Sequence, residues 1–518
     1  MIDVPLLPVA VIGLGLSILI ECLLVPRPSL RRPLSCWMLH VGLWCVAFEV
    51  LYGITGRPLF TGINLLLLWL LIVLVSNTKY ESLREPFVCA DFEYFIDMVR
   101  FPRLYLPYFG FGKAAVLALA FLCYLWAGLS FEVPGNRSEG LLSLAIGLVL
   151  VRLGRRQVQP TFDAEKDVRD WGLAASLWRY FWAARGKVDR DGLGSPFARA
   201  GLIADKSAPT GARAVPAMKP DLVSIQSESF FDARSLWPGI RPETLNQFDQ
   251  LARESLAHGK LQVAAWGANT VRTEFAYLTG IPVSQLGVHR FNPYRVLARQ
   301  GLPSIAAHLK AQGYRTVCIH PYDGSFYGRD KVLPALGFDD FIDVRAFNAS
   351  QKAGPFIGDC AVADKIRELL QADRTQPLFI HAITMENHGP LHLESVADHE
   401  LPTWFDRPLQ PGMKDLAPYL RHIANADRML GMLRETLLAQ PNEALLCFFG
   451  DHVPILPEVY QAIGEPAGDT DYFVWCNRRQ PGSQPRAVGV ETLASTLLAH
   501  AHAPATGAQP RSAAIGVA

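Results

Sequence analysis

The hydrophobic and polar positions divide the chain into two parts with different patterns. Before about residue 154, long apolar runs dominate, at residues 6–25, 34–54, 59–76, 114–130 and 140–153. A helix needs about 20 apolar residues, with a lower limit near 17, to cross the hydrocarbon core of a membrane. The first four runs satisfy this length and the fifth is short. The pattern therefore predicts an N-terminal α-helical transmembrane domain of about five spans.

Polar features within this part refine the prediction. Glu21 and Glu49 lie near the ends of apolar runs, where a carboxylate is either functional or simply neutral or facing the interface. Residues 92–108 mix aromatic, charged and apolar residues with prolines, which favours an interfacial amphipathic segment over a plain loop. Residues 163–187 contain several Trp residues and predict a helix near the membrane face, and residues 192–219, rich in Gly, Ala, Pro and Ser, predict a linker.

The loop charges favour one orientation. Basic residues prefer the cytoplasmic side of short loops. Arg57 and Arg137 lie on one predicted side, and all the other loop basic residues lie on the opposite side: Arg27, Arg31, Arg32, Lys79, Arg84, Arg100, Arg103, Lys113, Arg152, Arg155 and Arg156. Taken alone, this bias predicts that the large C-terminal domain is cytoplasmic.

After residue 220, short apolar runs alternate with helical stretches. This order is typical of a parallel sheet covered by helices. The predicted strands are residues 222–225, 316–319, 378–383 and 444–449, and the predicted helices are residues 302–312, 361–370 and 414–439. The domain organisation is therefore predicted as a transmembrane domain (1–155), an interfacial helix and linker (156–219), and a C-terminal α/β domain (220–518).

Polar residues follow the predicted strands directly. They are Glu228, His320, the Asn387-His388 pair and the Asp451-His452 pair. Ligands of open α/β sheets bind at the carboxyl ends of strands, so these side chains are expected to build one site. Carboxylates and imidazoles bind divalent ions such as Mn²⁺, Zn²⁺ or Mg²⁺. An Asp-His pair alone is a weak signal, but this one follows Gly450 at the abrupt end of an apolar strand.

A candidate nucleophile lies between the first strand and the next helix. Thr270 and Thr273 are both available there. Metal coordination activates a hydroxyl, and a helix that begins at Thr270 would favour a phosphate at its N-terminus. Simple helix capping by Thr explains the same pattern, so the residues alone leave both interpretations open.

Composition excludes some classes of function. The 518 residues carry a formal net charge of +1, which gives no indication of nucleic-acid binding. The 9 cysteines include no CxxC pair, so neither a zinc finger nor a disulfide framework is indicated.

Together these motifs resemble the lipoteichoic acid synthase group of the sulfatase and alkaline phosphatase superfamily. Members are membrane phosphoglycerol transferases with an alkaline-phosphatase/sulfatase-like catalytic domain, and phosphoethanolamine transferases are more distant relatives. Four residues match the metal ligands of the family: Glu228, Thr270, Asp451 and His452. Thr270, with Glu274-Phe275 after it, also matches the nucleophile of the family.

The resemblance also implies a substrate pocket. His320, Tyr327 and Arg329 have the spacing of the head-group pocket, although the family often has Trp at the position of Tyr327. Asn387 and His388 match a segment that contacts the substrate or the leaving group, and His388 or His320 would supply a proton to the leaving group.

The function that the resemblance implies is transfer of a phosphoglycerol head group from phosphatidylglycerol to a cell-envelope glycan, through a phospho-threonine intermediate. It implies one divalent metal, Mn²⁺ first and Mg²⁺ or Zn²⁺ as alternatives, with a lipid donor, a glycan acceptor, the membrane and no nucleic acid as partners. It also places the catalytic domain outside the cytoplasmic membrane, against the loop charges, and we favour this orientation.

Three alternatives remain. A phosphoethanolamine transferase would use the same mechanism on another head group. A sulfatase-like hydrolase of the formylglycine type needs a Cys/Ser-x-Pro-x-Arg context, which the segment around Thr270 lacks. An inactive scaffold for envelope assembly would have no need of the full predicted ligand set.

Overall fold

A computed structural model describes residues 3–92, 111–155, 159–190, 192–200, 219–479, 481–482 and 484–503. The chain forms two compact units, Met1–Val188 and Asp189–Ala518. The predicted interfacial segment lies outside the described residues except for Phe92, and so do residues 201–218 of the predicted linker. Both assignments stay predictions.

The first unit is helical. Its helices are α1 (Leu6–Glu21), α2 (Leu34–Thr55), α3 (Pro58–Leu83), α4 (Phe111–Phe131), α5 (Leu141–Gly154), α6 (Ala164–Trp171) and α7 (Leu173–Ala183). Within the described residues, α2 and α3 are the two helices long and apolar enough to cross a membrane. α1, α5 and the Leu119–Phe131 part of α4 are apolar but shorter. The predicted count of about five spans is therefore not confirmed, because α1 already ends at Glu21, before its apolar run does.

Small residues and one buried ion pair organise this unit. A Cβ atom on Gly42 would lie 2.8 Å from the carbonyl oxygen of Gly147, so these glycines let α2 and α5 approach closely. Glu21 is buried and forms an ion pair of 2.7 Å with Arg32. Its Oε1 atom accepts a hydrogen bond of 3.0 Å from the backbone N–H of Leu173 at the start of α7. Glu21 therefore joins α1 to α7 and does not face the interface.

The second unit contains the predicted α/β sheet. Within the described residues the large sheet has eight strands in the order β10-β2-β9-β8-β1-β7-β3-β4. The strands are β1 (Asp221–Ser227), β2 (Ala257–Gln262), β3 (Arg315–Ile319), β4 (Asp340–Ile342), β7 (Leu378–Ile383), β8 (Ala444–Gly450), β9 (Thr470–Cys476) and β10 (Val488–Gly489), and β5 (Lys352–Ala353) pairs separately with β6 (Phe356–Ile357).

All four strands predicted from the sequence are present, and they lie side by side in parallel in the order β8-β1-β7-β3. The sheet as a whole is mixed, because β9 runs antiparallel to both β8 and β2. The sequence pattern missed the other four strands of this sheet: β2, β4, β9 and β10. The α/β class of the second unit is confirmed, and the prediction of a purely parallel sheet is wrong at this edge.

Helices cover both faces of the sheet. They are α8 (Phe197–Ala200), α9 (Asn246–Arg253), α10 (Thr270–Thr279), α11 (Pro293–Val296), α12 (Ile305–Ala311), α13 (Arg329–Ala335), α14 (Asp359–Gln371), α15 (Leu416–Leu438), α16 (Pro457–Ile463) and α17 (Val490–His502). Side chains alternate between the faces of a strand. Val223 and Ile225 of β1 share a fully buried core with residues of α9, α14 and α15, such as Leu251, Ile366 and Leu430.

Candidate metal centre and active site

The carboxyl ends of the central strands bring the predicted polar residues together. β1 lies between β7 and β8, and Ser227 at the end of β1 is paired in register with Gly450 at the end of β8. Glu228 and Asp451 therefore leave the sheet side by side. A Cβ atom on Gly450 would collide with the carbonyl oxygen of Phe230, so glycine is needed where the chain after Glu228 crosses β8.

Three of the predicted metal ligands form one buried cluster. Glu228, Asp451 and His452 each offer a ligand atom, and these atoms lie within 4.8 Å of one another. His452 Nε2 is 3.5 Å from Glu228 Oε1 and 3.6 Å from Asp451 Oδ2. His452 Nδ1 lies 3.0 Å from the carbonyl oxygen of Val453 and donates to it. In neutral His452 this bond directs the lone pair of Nε2 at the two carboxylates.

The donor set fits a divalent cation. Across the part of the chain that the structure describes, Asp451 Oδ2 and His452 Nε2 are buried without a hydrogen-bond partner. Burial raises the pKa of Asp451 and Glu228 raises it further, against the lowering by His452. Burial lowers the pKa of His452, but Asp451 and Glu228 outweigh it and raise that pKa. Such an arrangement of buried acceptors is unfavourable unless a positive charge lies among them.

Thr270 begins α10 beside this cluster. Its Oγ1 atom donates to Glu228 Oε2 at 3.4 Å, so of the two candidate threonines it is the one whose hydroxyl approaches a candidate ligand. Thr273 is fully buried one turn later, and its Oγ1 atom donates to the backbone oxygen of Asp451 at 2.8 Å. Thr273 thus supports the loop of Asp451, whereas Thr270 is half-buried at the N-terminus of the helix, where a phosphate is favoured.

Backbone strain is concentrated around this site. In the described part of the second unit, the non-glycine residues with a left-handed backbone are Ser229, Asn269 and Tyr327. Each such conformation costs about 1 to 2 kcal/mol in an L-residue. Ser229 and Asn269 adjoin Glu228 and Thr270. Such strain persists where the surrounding structure holds functional groups in place.

His320, Arg329 and Glu274 form a second buried group. Arg329 Nη2 lies 2.7 Å from Glu274 Oε2, and its Nε atom also donates to this carboxylate. Arg329 Nη1 donates to His320 Nε2 at 3.1 Å, and His320 Nδ1 donates to the carbonyl oxygen of Ile383 at 3.2 Å. Burial and then Arg329 hold the pKa of His320 well below its ordinary value.

These contacts change the roles expected from the sequence. The guanidinium fork of Arg329 binds Glu274, so in this arrangement it is not free to bind a phosphate through two hydrogen bonds. Both ring nitrogens of His320 are engaged, which leaves His388 as the better proton donor of the two candidates. Tyr327 lies beside the guanidinium of Arg329, with 5.4 Å between Cζ and the ring centroid.

Asn387 and His388 lie in the segment that follows β7. Asn387 Nδ2 is 3.5 Å from the carbonyl oxygen of Ser229, and among the described residues its buried Oδ1 atom has no partner. His388 is half-buried, and its Nδ1 atom donates to the backbone oxygen of Gly389 at 2.8 Å. The segment therefore approaches the Glu228 loop through Asn387.

Sequence reasoning missed several residues that hold the site. Ser229 donates through its backbone N–H to Asp451 Oδ1 at 2.8 Å and through its hydroxyl to Glu228 Oε1 at 2.9 Å. Thr384 Oγ1 accepts a hydrogen bond of 3.0 Å from the N–H of Glu228. Ser229 follows β1 and Thr384 follows β7, and these positions at the carboxyl ends of strands were the sequence signal that could have identified both residues. Glu274 was noticed only as part of a motif, because its partner Arg329 is far away in sequence.

Sequence comparison relates this chain to known proteins. The sequence model of the sulfatase family matches residues 220–503. A putative cyclic β-1,2-glucan modification protein of Rhizobium meliloti (strain 1021) is 32% identical over 270 residues, which are 52% of this chain and 40% of that protein. The chain thus spans less than half the length of that relative.

Two further relatives extend the comparison. The capsular polysaccharide biosynthesis protein RkpI of the same organism is 25% identical over 467 residues, 83% of this chain and 79% of that protein. Lipoteichoic acid synthase 1 of Bacillus subtilis (strain 168) is 28% identical over 193 residues, 35% of this chain and 28% of that protein. The resemblance predicted from the motifs is confirmed: the chain belongs to the sulfatase family and is related to the lipoteichoic acid synthases.

Proposed function

We propose that this protein is a membrane-bound, metal-dependent transferase that moves a phosphoglycerol head group from phosphatidylglycerol to a cell-envelope glycan. The position of Thr270 carries the proposal, because its hydroxyl begins a helix and donates to a buried carboxylate of the candidate metal cluster. The names of two relatives, a glucan modification protein and a capsular polysaccharide biosynthesis protein, support a glycan acceptor.

The metal would be held by Glu228, Asp451 and His452, with Thr270 as the fourth ligand. A divalent cation at such a site supplies Lewis-acid chemistry, which lowers the pKa of a ligated hydroxyl and neutralises charge on phosphoryl oxygens. Mn²⁺ is our first choice, and Mg²⁺ and Zn²⁺ are the alternatives.

In the first half of the reaction, Thr270 Oγ1 forms a bond to phosphorus and the bond to the diacylglycerol oxygen breaks. The hydrogen bond from Thr270 to Glu228 Oε2 supports transfer of the hydroxyl proton to this carboxylate. His388 protonates the departing oxygen. Its Nδ1 atom donates to the backbone of Gly389, so Nε2 is the nitrogen for this transfer.

In the second half, a glycan oxygen forms a bond to phosphorus and the bond to Thr270 Oγ1 breaks, which makes the cycle ping-pong. The proton of the glycan hydroxyl passes to His388, which gave its own to the diacylglycerol oxygen, and Glu228 returns a proton to Thr270. Asn387 contacts the substrate during both halves, and its buried Oδ1 atom is an acceptor for a donor group of the substrate. Helices α2 and α3 anchor the protein in the membrane that contains the lipid donor. We place the catalytic part outside the cytoplasmic membrane, where envelope glycans are modified.

The test is release of diacylglycerol from fluorescent phosphatidylglycerol by the full chain in detergent with Mn²⁺. Thr270→Ala is expected to lower the rate by about 10³-fold or more, because the nucleophile is lost. Thr279→Ala is the matched control, since Thr279 lies at the other end of α10 and donates to its own helix at Phe275. It is expected to stay within about threefold of wild type.

The same assay separates the alternatives. Cleavage of phosphatidylethanolamine alone would identify the head group as phosphoethanolamine. Release of glycerol phosphate into water, even with a glycan acceptor present, would identify a hydrolase. If neither lipid is cleaved with Mn²⁺, Mg²⁺ or Zn²⁺, the proposal is contradicted and the inactive scaffold becomes the better explanation.

A further inference from the structure

The segment from Thr384 to Glu394 leaves the sheet after β7 and includes Asn387 and His388. Its start is fixed to the sheet, because the N–H of Thr384 donates to the carbonyl oxygen of Gln226 at 3.0 Å. Beyond Asn387 and His388 the chain passes through a short helical turn that ends at Leu393. Two carboxylates, Glu386 and Glu394, therefore flank the two predicted substrate-contacting residues.

His422 of α15 joins these two carboxylates. Its Nδ1 atom lies 2.9 Å from Glu386 Oε1, and its Nε2 atom lies 3.1 Å from Glu394 Oε2. The side chain of His422 is 1% exposed. Both ring nitrogens face carboxylate acceptors, so both are donors and the ring is an imidazolium. Burial alone would lower its pKa, but the hydrogen bonds to Glu386 and Glu394 raise that pKa to about 9.

Other groups complete the surroundings of this bridge. Asn425 Nδ2 donates to Glu386 Oε1 at 2.5 Å, and the N–H of Asp359 donates to Glu386 Oε2 at 2.7 Å. Arg421, adjacent to His422 on α15, forms an ion pair with Glu394. Glu386 and Glu394 thus face His422 and Arg421, beside the buried carboxyl group of Asp359, whose pKa burial and then Glu386 hold well above its ordinary value. Such a buried network is stable only while every member is present.

We infer that His422 is a positioning residue. Its imidazolium binds both ends of the Glu386–Glu394 loop, a bridge that we call the clasp, and thereby holds Asn387 and His388 against the active site. For the roles of those two residues the inference rests on the proposed function. The clasp itself does not, since it follows from the contacts of His422. Without it, Glu386 keeps its bonds to Asn425 and Asp359 and Glu394 keeps Arg421, but no single group joins the two ends of the loop. The loop then gains access to open conformations.

The experiment uses the full chain in detergent with Mn²⁺ and the variants His422→Gln and Glu394→Gln. Asp427→Asn is the matched control, because Asp427 is a buried residue of the same helix that accepts hydrogen bonds from the N–H groups of Gln247 and Phe248. Hydrogen exchange of the amides in residues 384–394 is expected to accelerate about tenfold or more in His422→Gln and less in Glu394→Gln. Asp427→Asn should leave this segment unchanged.

Kinetics on phosphatidylglycerol give the second readout. His422→Gln is expected to lower kcat about tenfold or more and to change KM by less than about threefold. The reason is that the loop positions Asn387 and His388 for the chemical step and contributes little to binding of the lipid donor. Equal exchange of this segment in His422→Gln and Asp427→Asn, at any level of activity, would overturn the clasp. If wild type cleaves no lipid, the proposed function fails, and the exchange measurement still decides the clasp. Glu394→Gln removes the negative charge at only one end of the clasp. If His422→Gln does not fold, the exchange of residues 384–394 in Glu394→Gln tests the clasp instead.

Discussion

Among single residues, Arg329 and Glu274 show how a partner decides the role of a side chain. The side chains of Arg329 and Glu274 are 1% and 0% exposed, and they form a fork-like ion pair. Glu274 also accepts a hydrogen bond of 2.6 Å from the hydroxyl of Tyr294. The pair joins α10, which begins with Thr270, to the helix that follows Tyr327. Its first role is therefore to hold two parts of the active site together.

Replacement of Glu274 by Gln is expected to destabilise the second unit by about 3–5 kcal/mol, because Arg329 keeps a buried charge without its counter-charge. In thermal unfolding of the detergent-solubilised chain, this corresponds to a transition lower by roughly 10 °C. Asp340→Asn is the control, since Asp340 and its partner Arg315 are 44% and 45% exposed. An exposed pair contributes at most about 1 kcal/mol. Equal shifts of the unfolding temperature in the two variants would show that the buried ion pair contributes no more to stability than the exposed one.

Among the helices, α15 contacts both the core of the sheet and the loop of the candidate active site. Its apolar side packs in the sheet core through residues such as Leu430 and Leu433, whereas His422 faces the loop after β7. The sequence analysis predicts a long helix over residues 414–439, and this helix is present. Its link to the active site follows from contacts between segments that are distant in the sequence.

The charge of His422 predicts a dependence of stability on pH. Its folded pKa of about 9 lies above the ordinary value of 6.5, so its stabilising contribution is complete below pH 6.5 and is lost as pH rises through 9. The difference in stability between wild type and His422→Gln is expected to shrink by up to about 3 kcal/mol over this range. Unfolding temperatures of both proteins from pH 6 to 10 measure it. His502→Gln, which changes an exposed histidine, should run parallel to wild type throughout.

In the whole molecule, the candidate metal site joins parts of the chain that only the folded sheet brings together. Glu228 follows β1 and Asp451 follows β8, and more than 200 residues separate them in the sequence. A ligand that binds only the folded state stabilises the entire unit. The metal is therefore expected to act on the fold as well as on the reaction.

Addition of Mn²⁺ to chelator-treated protein should raise the unfolding temperature of the second unit. At about 100 times the dissociation constant the gain is about 2.7 kcal/mol, or several degrees. Glu228→Gln should lose most of this shift because it removes a carboxylate ligand, whereas Glu368→Gln, at an exposed position of α14, should keep it. An unfolding temperature of wild type that does not respond to any divalent metal would contradict the assignment of the metal centre.

The local pattern of apolar and polar residues was sufficient to predict part of the sheet and of the candidate site. Apolar runs followed by polar residues located four strands of the sheet, and the residues directly after them include Glu228, Asp451 and His452. The carboxyl ends of parallel strands meet at one edge, so convergence followed from topology alone. The mixed part of the sheet was missed because β2 and β9 were not predicted as strands at all. In addition, the direction of a strand leaves no trace in an apolar run.

The sequence by itself determined the apolar N-terminal part, the α/β class of the second part, the candidate ligands and the family. These properties depend on residue type and on spacing along the chain. Only the tertiary structure decided that Arg329 faces Glu274, that His320 is neutral and fully hydrogen-bonded, and that His422 joins Glu386 to Glu394. The physical reason is that the charge and role of a buried side chain depend on its neighbours in space, and folding draws those neighbours from distant segments.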